Sequence, residues 1–320
     1  MTVTAKWTDP SEGGPLDRDT GQTIREQDWD GVLGNLLMLG GSSGTIAKYN
    51  LLTNGGFEIW QRGNGPFNAN GVYAADRWSL SFGAGTLSIT RDTANVDTGS
   101  LACAAVAYTH SSASFLLQKV EDFNQLRGRT TTFSMRIRTS SANAVRLRID
   151  ITGAAQTVNS AYHSGGGTYE TLSVPVTVGA AATGVIVYVQ LDASCTAYLD
   201  NAMLVVGSVA ADYAPLHPAD DLARCLRYYE IIGETLNEIA RTGYAAAGGA
   251  DDVYSSFHTR KGVNPTVTKT GTWIVTNCAQ PSLIAYGPNG MTLRTIVTAL
   301  GAFAYNNNAS GATVTIEANP

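Results

Sequence analysis

Charge is scarce in this chain: Asp, Glu, Lys and Arg make up 15% of its 320 residues, and 26 acidic against 21 basic side chains leave a net charge of −5. Phosphate binding needs a basic face, so the balance argues against nucleic acid as the main partner. Long apolar runs are missing as well. The best, Gly184 to Leu191, has the length of a strand and falls far short of the ~20 residues that cross a bilayer as a helix, so no membrane span is expected. The opening, Met1-Thr2-Val3-Thr4-Ala5-Lys6-Trp7, has no apolar core and no small-residue cleavage site after it, which implies a chain made and kept in a cytoplasm. Paired cysteines are absent too: Cys103, Cys195, Cys225 and Cys278 stand singly, without C-x-x-C spacing, and are expected as buried free thiols rather than metal ligands or redox partners. The four histidines, His110, His163, His217 and His258, share no ligand spacing with one another or with cysteine, and there is no P-loop.

What is present is a globular composition, with 44% hydrophobic residues and a mean hydropathy near zero (−0.03), which rules out a collagen, a coiled-coil rod and a disordered chain. Glycine is abundant, at 34 residues, while the helix formers Lys and Glu are sparse, so the fold class is mainly β. Residues 1–22 carry no period and suit an extended arm. Thr23-Ile24-Arg25-Glu26 then forms a capping box, and Ile24, Trp29, Val32, Leu33, Leu36, Leu37 and Leu39 recur at near-helical spacing before the linker Gly40-Gly41-Ser42-Ser43-Gly44. Residues 1–44 are therefore predicted as an arm and short amphipathic helix for attachment or oligomerisation, its apolar stripe packing on a copy of itself, on an assembly partner or back on its own body.

Residues 45–212 are predicted as one β domain, a sandwich or jelly roll. Phe133, Met135 and Ile137 alternate with Ser134, Arg136 and Arg138. Val145, Leu147, Ile149 and Ile151 alternate with Arg146, Arg148 and Asp150. The polar stretch between them predicts a hairpin whose outer face carries all four arginines. Val185 to Val189 is nearly continuous in apolar character and is expected to be buried on both faces, and Leu199 to Val206 is a further strand. Tyr213-Ala214-Pro215 marks a boundary; 213–243 is predicted as a linker with a helix over Ala219 to Glu230, and 244–320 as a small C-terminal β domain with strands at Thr266–Thr268, Thr272–Thr276, Thr292–Thr298 and Ala312–Glu317.

Asn50-Leu51-Leu52-Thr53-Asn54-Gly55-Gly56-Phe57-Glu58-Ile59-Trp60-Gln61-Arg62-Gly63, followed by Tyr73-Ala74-Ala75-Asp76-Arg77-Trp78, resembles the opening of a jelly-roll domain common in bacteriophage tail-fibre and receptor-binding proteins. Tyr198 to Gly207 is similar to that domain's last strand, Cys225-Leu226-Arg227-Tyr228-Tyr229-Glu230 to the segment that follows it, and Phe257 to Pro265 to the start of the terminal domain. The resemblance implies a virion protein, assembled in the host cytoplasm as a homotrimer, with residues 1–44 meeting other virion proteins and the β domains meeting host-surface carbohydrate. A purely structural decoration, neck or tail protein and a polysaccharide-degrading enzyme are the alternatives. The same strands are similar to carbohydrate-binding modules, which implies a structural calcium ion held by Glu58 and Asp200; otherwise these two hydrogen-bond to backbone or to Arg77.

No catalytic residue is assigned. Glu121 with Asp122 and Asp251 with Asp252 are adjacent acids that suit solvated loops better than a glycosidase pair. The candidate glycan-binding residues are Arg136, Arg138, Arg146 and Arg148, which could meet acidic sugars, carboxylates of a neighbouring subunit or water, together with Tyr162, His163 and Tyr169 around the flexible Ser164-Gly165-Gly166-Gly167 loop. Trp60 and Trp78 could serve as sugar platforms, but sit in a motif expected to form core.

Overall fold

A computed structural model describes residues 49–234, 238–307 and 311–319. The predicted N-terminal arm and helix lie outside the described residues.

The first ten strands form a jelly-roll sandwich of two five-stranded antiparallel sheets. They are β1 (Ser79–Ser81), β2 (Gly85–Asp92), β3 (Cys103–His110), β4 (Ser114–Lys119), β5 (Thr130–Thr139), β6 (Val145–Thr152), β7 (Gln156–Tyr162), β8 (Tyr169–Thr177), β9 (Gly184–Leu191) and β10 (Cys195–Val206). One sheet has the order β1-β4-β9-β6-β7 and the other β2-β3-β10-β5-β8. Period-two alternation places Leu116, Leu147, Val187 and Val189 from the first sheet against Ile89, Val106, Phe133, Ile137 and Leu199 from the second, all 1% exposed or less.

The predicted β5–β6 hairpin does not form. β5 pairs with β8 and β10, β6 with β7 and β9, and the two strands belong to opposite sheets. Both have one apolar face, and a sandwich buries two such faces against each other better than a hairpin could bury one. The four arginines are thereby divided between opposite outer surfaces. β9 is likewise buried on one face only: Val185, Val187 and Val189 are core, while Ile186 and Tyr188 are half-buried on the outside.

The motif stretch 50–78 is the sandwich's internal scaffold. Asn50 donates Nδ2–H to Ala202 O and accepts from Leu52 and Leu204 N–H, fastening the motif stretch to β10 beside the bond from Leu51 N–H to Leu204 O. Gly55 lies so close to Ala202 O that a Cβ would overlap it. Phe57 and Trp78 are fully buried and stack at 4.9 Å, and Trp60 is 9% exposed, so neither tryptophan is a surface platform.

Helix α1 (Pro218–Leu226) follows, with His217 as its N-cap and Asp220 and Asp221 in its first turn. It is shorter than predicted, because Tyr229 and Glu230 already belong to the next strand. The C-terminal region consists of β11 (Tyr229–Ile232), β12 (Ala240–Ala245), β13 (Ala250–Ser256), β14 (Thr266–Lys269), β15 (Ile274–Thr276), β16 (Ser282–Gly287), β17 (Gly290–Ile296), β18 (Gly301–Asn306) and β19 (Val314–Glu317). These make three three-stranded sheets, β11-β19-β14, β12-β18-β15 and β13-β17-β16. The chain passes three times along the same path, and the last pass supplies every central strand. Trp273, Met291, Leu293, Phe303, Tyr305, Val314 and Ile316 form its own core. Part of the stretch predicted as linker, 213–243, thus enters this β structure as β11 and most of β12.

Two arginines from the motif stretch clamp the C-terminal region to the sandwich. Arg62 lies 3.5 Å from the Tyr229 ring centre and pairs with Glu317 at 2.5 Å. Arg77 lies 3.6 Å from the Tyr228 ring and donates to Lys119 O and Asn319 Oδ1. All four cysteines are free and buried, as expected, and burial pushes the Cys103 thiol up to about 12 and the Cys195 thiol up to about 11. The folded chain should therefore leave all four thiols unmodified by an aromatic disulfide reagent at pH 8, with all four reacting only in denaturant. Fast labelling of any of them in buffer would contradict this packing.

Candidate functional site

Two outer faces of the sandwich carry the predicted glycan-binding residues, and they differ in what lies on them. On β2-β3-β10-β5-β8, the register sets Tyr169, Arg138 and Tyr198 side by side, with Thr171, Arg136 and Asp200 in the next row. The β2–β3 loop is fastened across them. Arg136 grips Asp97 through two hydrogen bonds of 2.7 and 3.2 Å, Asp97 N–H donates to Asp200 Oδ2, and the Tyr169 hydroxyl donates to Asn95 O at 2.7 Å. Arg138 donates to Gly167 O. Arg136 and Tyr169 thus hold the β2–β3 loop, and Arg138 reaches both that loop, at Asn95 Oδ1, and the glycine loop at Gly167 O.

His163 departs furthest from the expectation. It is 1% exposed, Nε2 lies 2.9 Å from Ile137 O, and Nδ1 accepts from Gly165 N–H, so the ring sits inside the sandwich and anchors the glycine loop instead of facing a ligand.

The outer face of β1-β4-β9-β6-β7 is different. Three rows cross it: Ser81, Phe115, Gln190, Arg146 and Tyr162; then Ser79, Leu117, Tyr188 and Arg148; then Lys119, Ile186, Asp150 and Thr157. Most of these side chains are half-buried, held by their neighbours while still reaching solvent; Ser79 and Gln190 are buried and Lys119 and Thr157 exposed. Phe115 and Tyr188 meet edge to face at 5.5 Å, and the Arg148 guanidinium lies 5.6 and 5.4 Å from their centres. Arg148 is locked in turn by two hydrogen bonds to Asp150, at 2.7 and 2.6 Å, and Thr157 donates to the same carboxylate. Burial works against the Asp150 charge, but these donors hold it below its ordinary value.

A second carboxylate organises the other end. Asp192 accepts from the Tyr162 hydroxyl at 2.8 Å and from Gln190 Nε2 at 2.9 Å, and lies 3.1 Å from Arg146 Nε. Gln190 is only 5% exposed, and its Oε1 has no hydrogen-bond partner among the described residues. Beyond Lys119 and Ile186 the face opens into a cleft of about 400 Å³ lined also by Phe123, Val263 and Ala318.

Of the seven predicted residues, then, the fold brings together Arg146, Arg148 and Tyr162. Sequence reasoning missed Phe115, Tyr188, Gln190, Asp150 and Asp192 as partners. Tyr188 and Gln190 were legible in the alternation of β9, had its apolar residues been read as one face. With two arginines and Lys119 against two aspartates, the face is close to neutral, which suits a hydroxyl-rich ligand better than a polyanion.

Calcium was implied at Glu58 and Asp200. Asp200 is fully buried, accepts Asp97 N–H on Oδ2 and Asn201 N–H on Oδ1, and burial pushes it up to about 6. Glu58 is exposed, and among the described residues no three acidic, His or Cys side chains converge on one point. Arg136, bound to Asp97 beside Asp200, supplies the positive charge of this corner. The donor set does not fit calcium, and the backbone alternative describes Asp200.

Of the acids considered for catalysis, Glu121 pairs with Arg227, Asp251 with Arg241 and Asp252 with Arg294, while Asp122 accepts from Gln125 Nε2. No helix among the described residues is long and apolar enough to cross a membrane.

No family model matches the chain, and no curated protein matches it. Among solved structures, it is similar to the enzymatically active domain of bacteriophage CBA120 tailspike protein 4, at 13% identity and a TM-score of 0.37, covering 49% of this chain and 21% of that one. It is also similar to the CBM22-1 xylan-binding domain of Paenibacillus barcinonensis Xyn10C, at 11% identity and a TM-score of 0.37, over 51% of this chain and 98% of that one. A third is TmCBM61 in complex with β-1,4-galactotriose, at 16% identity and a TM-score of 0.33, over 50% and 99%.

Proposed function

We propose that this chain is a phage virion appendage protein of the fibre type that binds a host-surface glycan without cleaving it, through the outer face of β1-β4-β9-β6-β7. The observation that carries this reading is the Phe115, Tyr188, Arg148 and Asp150 cluster. Apolar ring surface alternates there with donors and acceptors already fixed by packing, and a pyranose presents the complementary pattern of apolar C–H faces rimmed by hydroxyls. Because Arg148 and Asp150 are ordered before a ligand arrives, binding loses little side-chain entropy. Attachment to the particle through residues 1–44 and assembly as a homotrimer are parts of the same reading, supported by the fibre-like motifs between residues 50 and 230.

A glycan array of neutral and acidic oligosaccharides tests it. The full chain should retain neutral oligosaccharides, and Tyr188→Ala and Arg148→Ala should each weaken binding by about tenfold or more, the loss expected of a central aromatic or arginine anchor. Their far-ultraviolet circular dichroism should stay that of the parent. A chain that retains no glycan, and whose β1-β4-β9-β6-β7 face is covered by other subunits in the assembled particle, would be a purely structural virion protein.

A further inference from the structure

We infer a second sugar-binding subsite on the C-terminal region, on the outer face of β13-β17-β16 and centred on Tyr254. It stands on residues separate from those of the sandwich face. Tyr254 is 61% exposed, and the tip of its ring rests over Gly290 on the neighbouring strand, where a Cβ would overlap the tyrosine hydroxyl. Gly290 pairs with Ser256 on one side and Gly287 on the other, and a Cβ at Gly287 would meet nothing within 4 Å. The ring therefore leans over a glycine of the neighbouring strand, with open space at Gly287 beyond it. Gly290 has no positive φ; a Cβ there would overlap both the tyrosine ring and Ser255 O, so the glycine makes room for the ring and for the neighbouring backbone.

Two residues along β13, Asp252 faces Arg294 across the ladder, joined by two hydrogen bonds of 2.7 and 2.6 Å. Both are about 40% exposed, so each keeps hydrogen-bonding capacity toward solvent. Thr292 stands between the ring and this pair. Tyr254 and Asp252 are about 7 Å apart along the strand and the ring leans away from the pair toward Gly290, so the face fits two linked pyranoses, one on the tyrosine and the next beside the carboxylate and guanidinium. The ligand class that fits is a neutral hexopyranose or pentopyranose unit, because Arg294 is already neutralised by Asp252.

The full chain labelled with 3-fluorotyrosine tests this by fluorine NMR, with Tyr254→Phe and Tyr188→Phe assigning the two resonances. The probes are β-1,4-linked hexaoses of glucose, xylose and galactose. At least one should move the Tyr254 resonance saturably, and Gly290→Ala or Asp252→Asn should weaken that titration about tenfold. Tyr188→Ala should leave it unchanged, which separates this subsite from the sandwich face. A Tyr254 resonance unmoved by all three probes overturns the inference, and so does one whose movement disappears in Tyr188→Ala.

Discussion

Glu230→Ala is expected to destabilise the chain by about 3–5 kcal/mol, the cost of leaving a buried charge without its partner. Glu230 and the Lys261 side chain are each 1% exposed or less. Lys261 Nζ donates to Glu230 Oε2 and to Leu226 O at the end of α1, while Glu230 Oε1 accepts from His258 N–H at 3.0 Å and lies 2.6 Å from His258 Nδ1. One carboxylate therefore ties β11, the 257–262 segment and the end of α1 together. Burial already lowers the Lys261 pKa despite the pairing, so removing the carboxylate leaves an ammonium that must lose its proton or draw in water. Urea unfolding followed on the C-terminal core through Trp273 fluorescence, with the other tryptophans replaced by phenylalanine, measures the loss. Replacing both partners together, Glu230→Leu with Lys261→Met, should recover most of it, because two apolar groups of similar volume leave nothing to solvate. A Glu230→Ala midpoint within error of the parent would remove this cluster from the account of what holds the junction.

Lowering the pH from 7.5 to 5 is expected to stabilise the sandwich by roughly 3 kcal/mol, contrary to the usual behaviour of a protein rich in paired carboxylates. Asp76 and Asp200 are the cause. Burial pushes each up to about 6, in spite of Gln61 and Arg62 beside Asp76 and the N–H donors around Asp200. A carboxyl raised in the folded state stabilises fully below its unfolded value near 4 and loses that contribution as pH rises through 6. At pH 5 each contributes about 1.4 kcal/mol. Asp92, Asp97 and Asp150 oppose this at lower pH, since hydrogen-bond donors hold all three below their ordinary value against the effect of burial. Their stabilisation is present above the unfolded value and disappears as pH falls through the folded one, so stability should go on rising below pH 5 and turn over near pH 4. With a urea slope of about 2–3 kcal/mol/M, the midpoint should rise by roughly 1 M between pH 7.5 and 5. Asp200→Asn should remove about half of that rise. A midpoint that is flat or falls over this interval would show that both aspartates are charged throughout.

The mainly β class, the inward faces of β5 and β6, the burial of all four cysteines and the interior fate of Trp60 and Trp78 were legible in the order of residues. Each of these follows from local chemistry: the period of a strand, the low polarity of a thiol, the bulk of an indole. The motifs that carry the likeness to phage fibre domains also turned out to be local rules with a tertiary purpose. Gly55 is required by an approach to Ala202, and Arg62 and Arg77 by the rings of Tyr229 and Tyr228. Which strands share a sheet was a decision of long-range packing. That decision placed Arg136 and Arg138 under the β2–β3 loop and left Arg146 and Arg148 on an open face beside Phe115 and Tyr188, although the two strands are alike in pattern. It also set Tyr254 over Gly290, two residues whose separation in sequence says nothing of their contact. Strand pairing joins residues that are distant in the chain through backbone hydrogen bonds that are nearly the same for every residue. The side-chain pattern therefore says which face of a strand turns inward, and long-range packing says what stands beside it on the other.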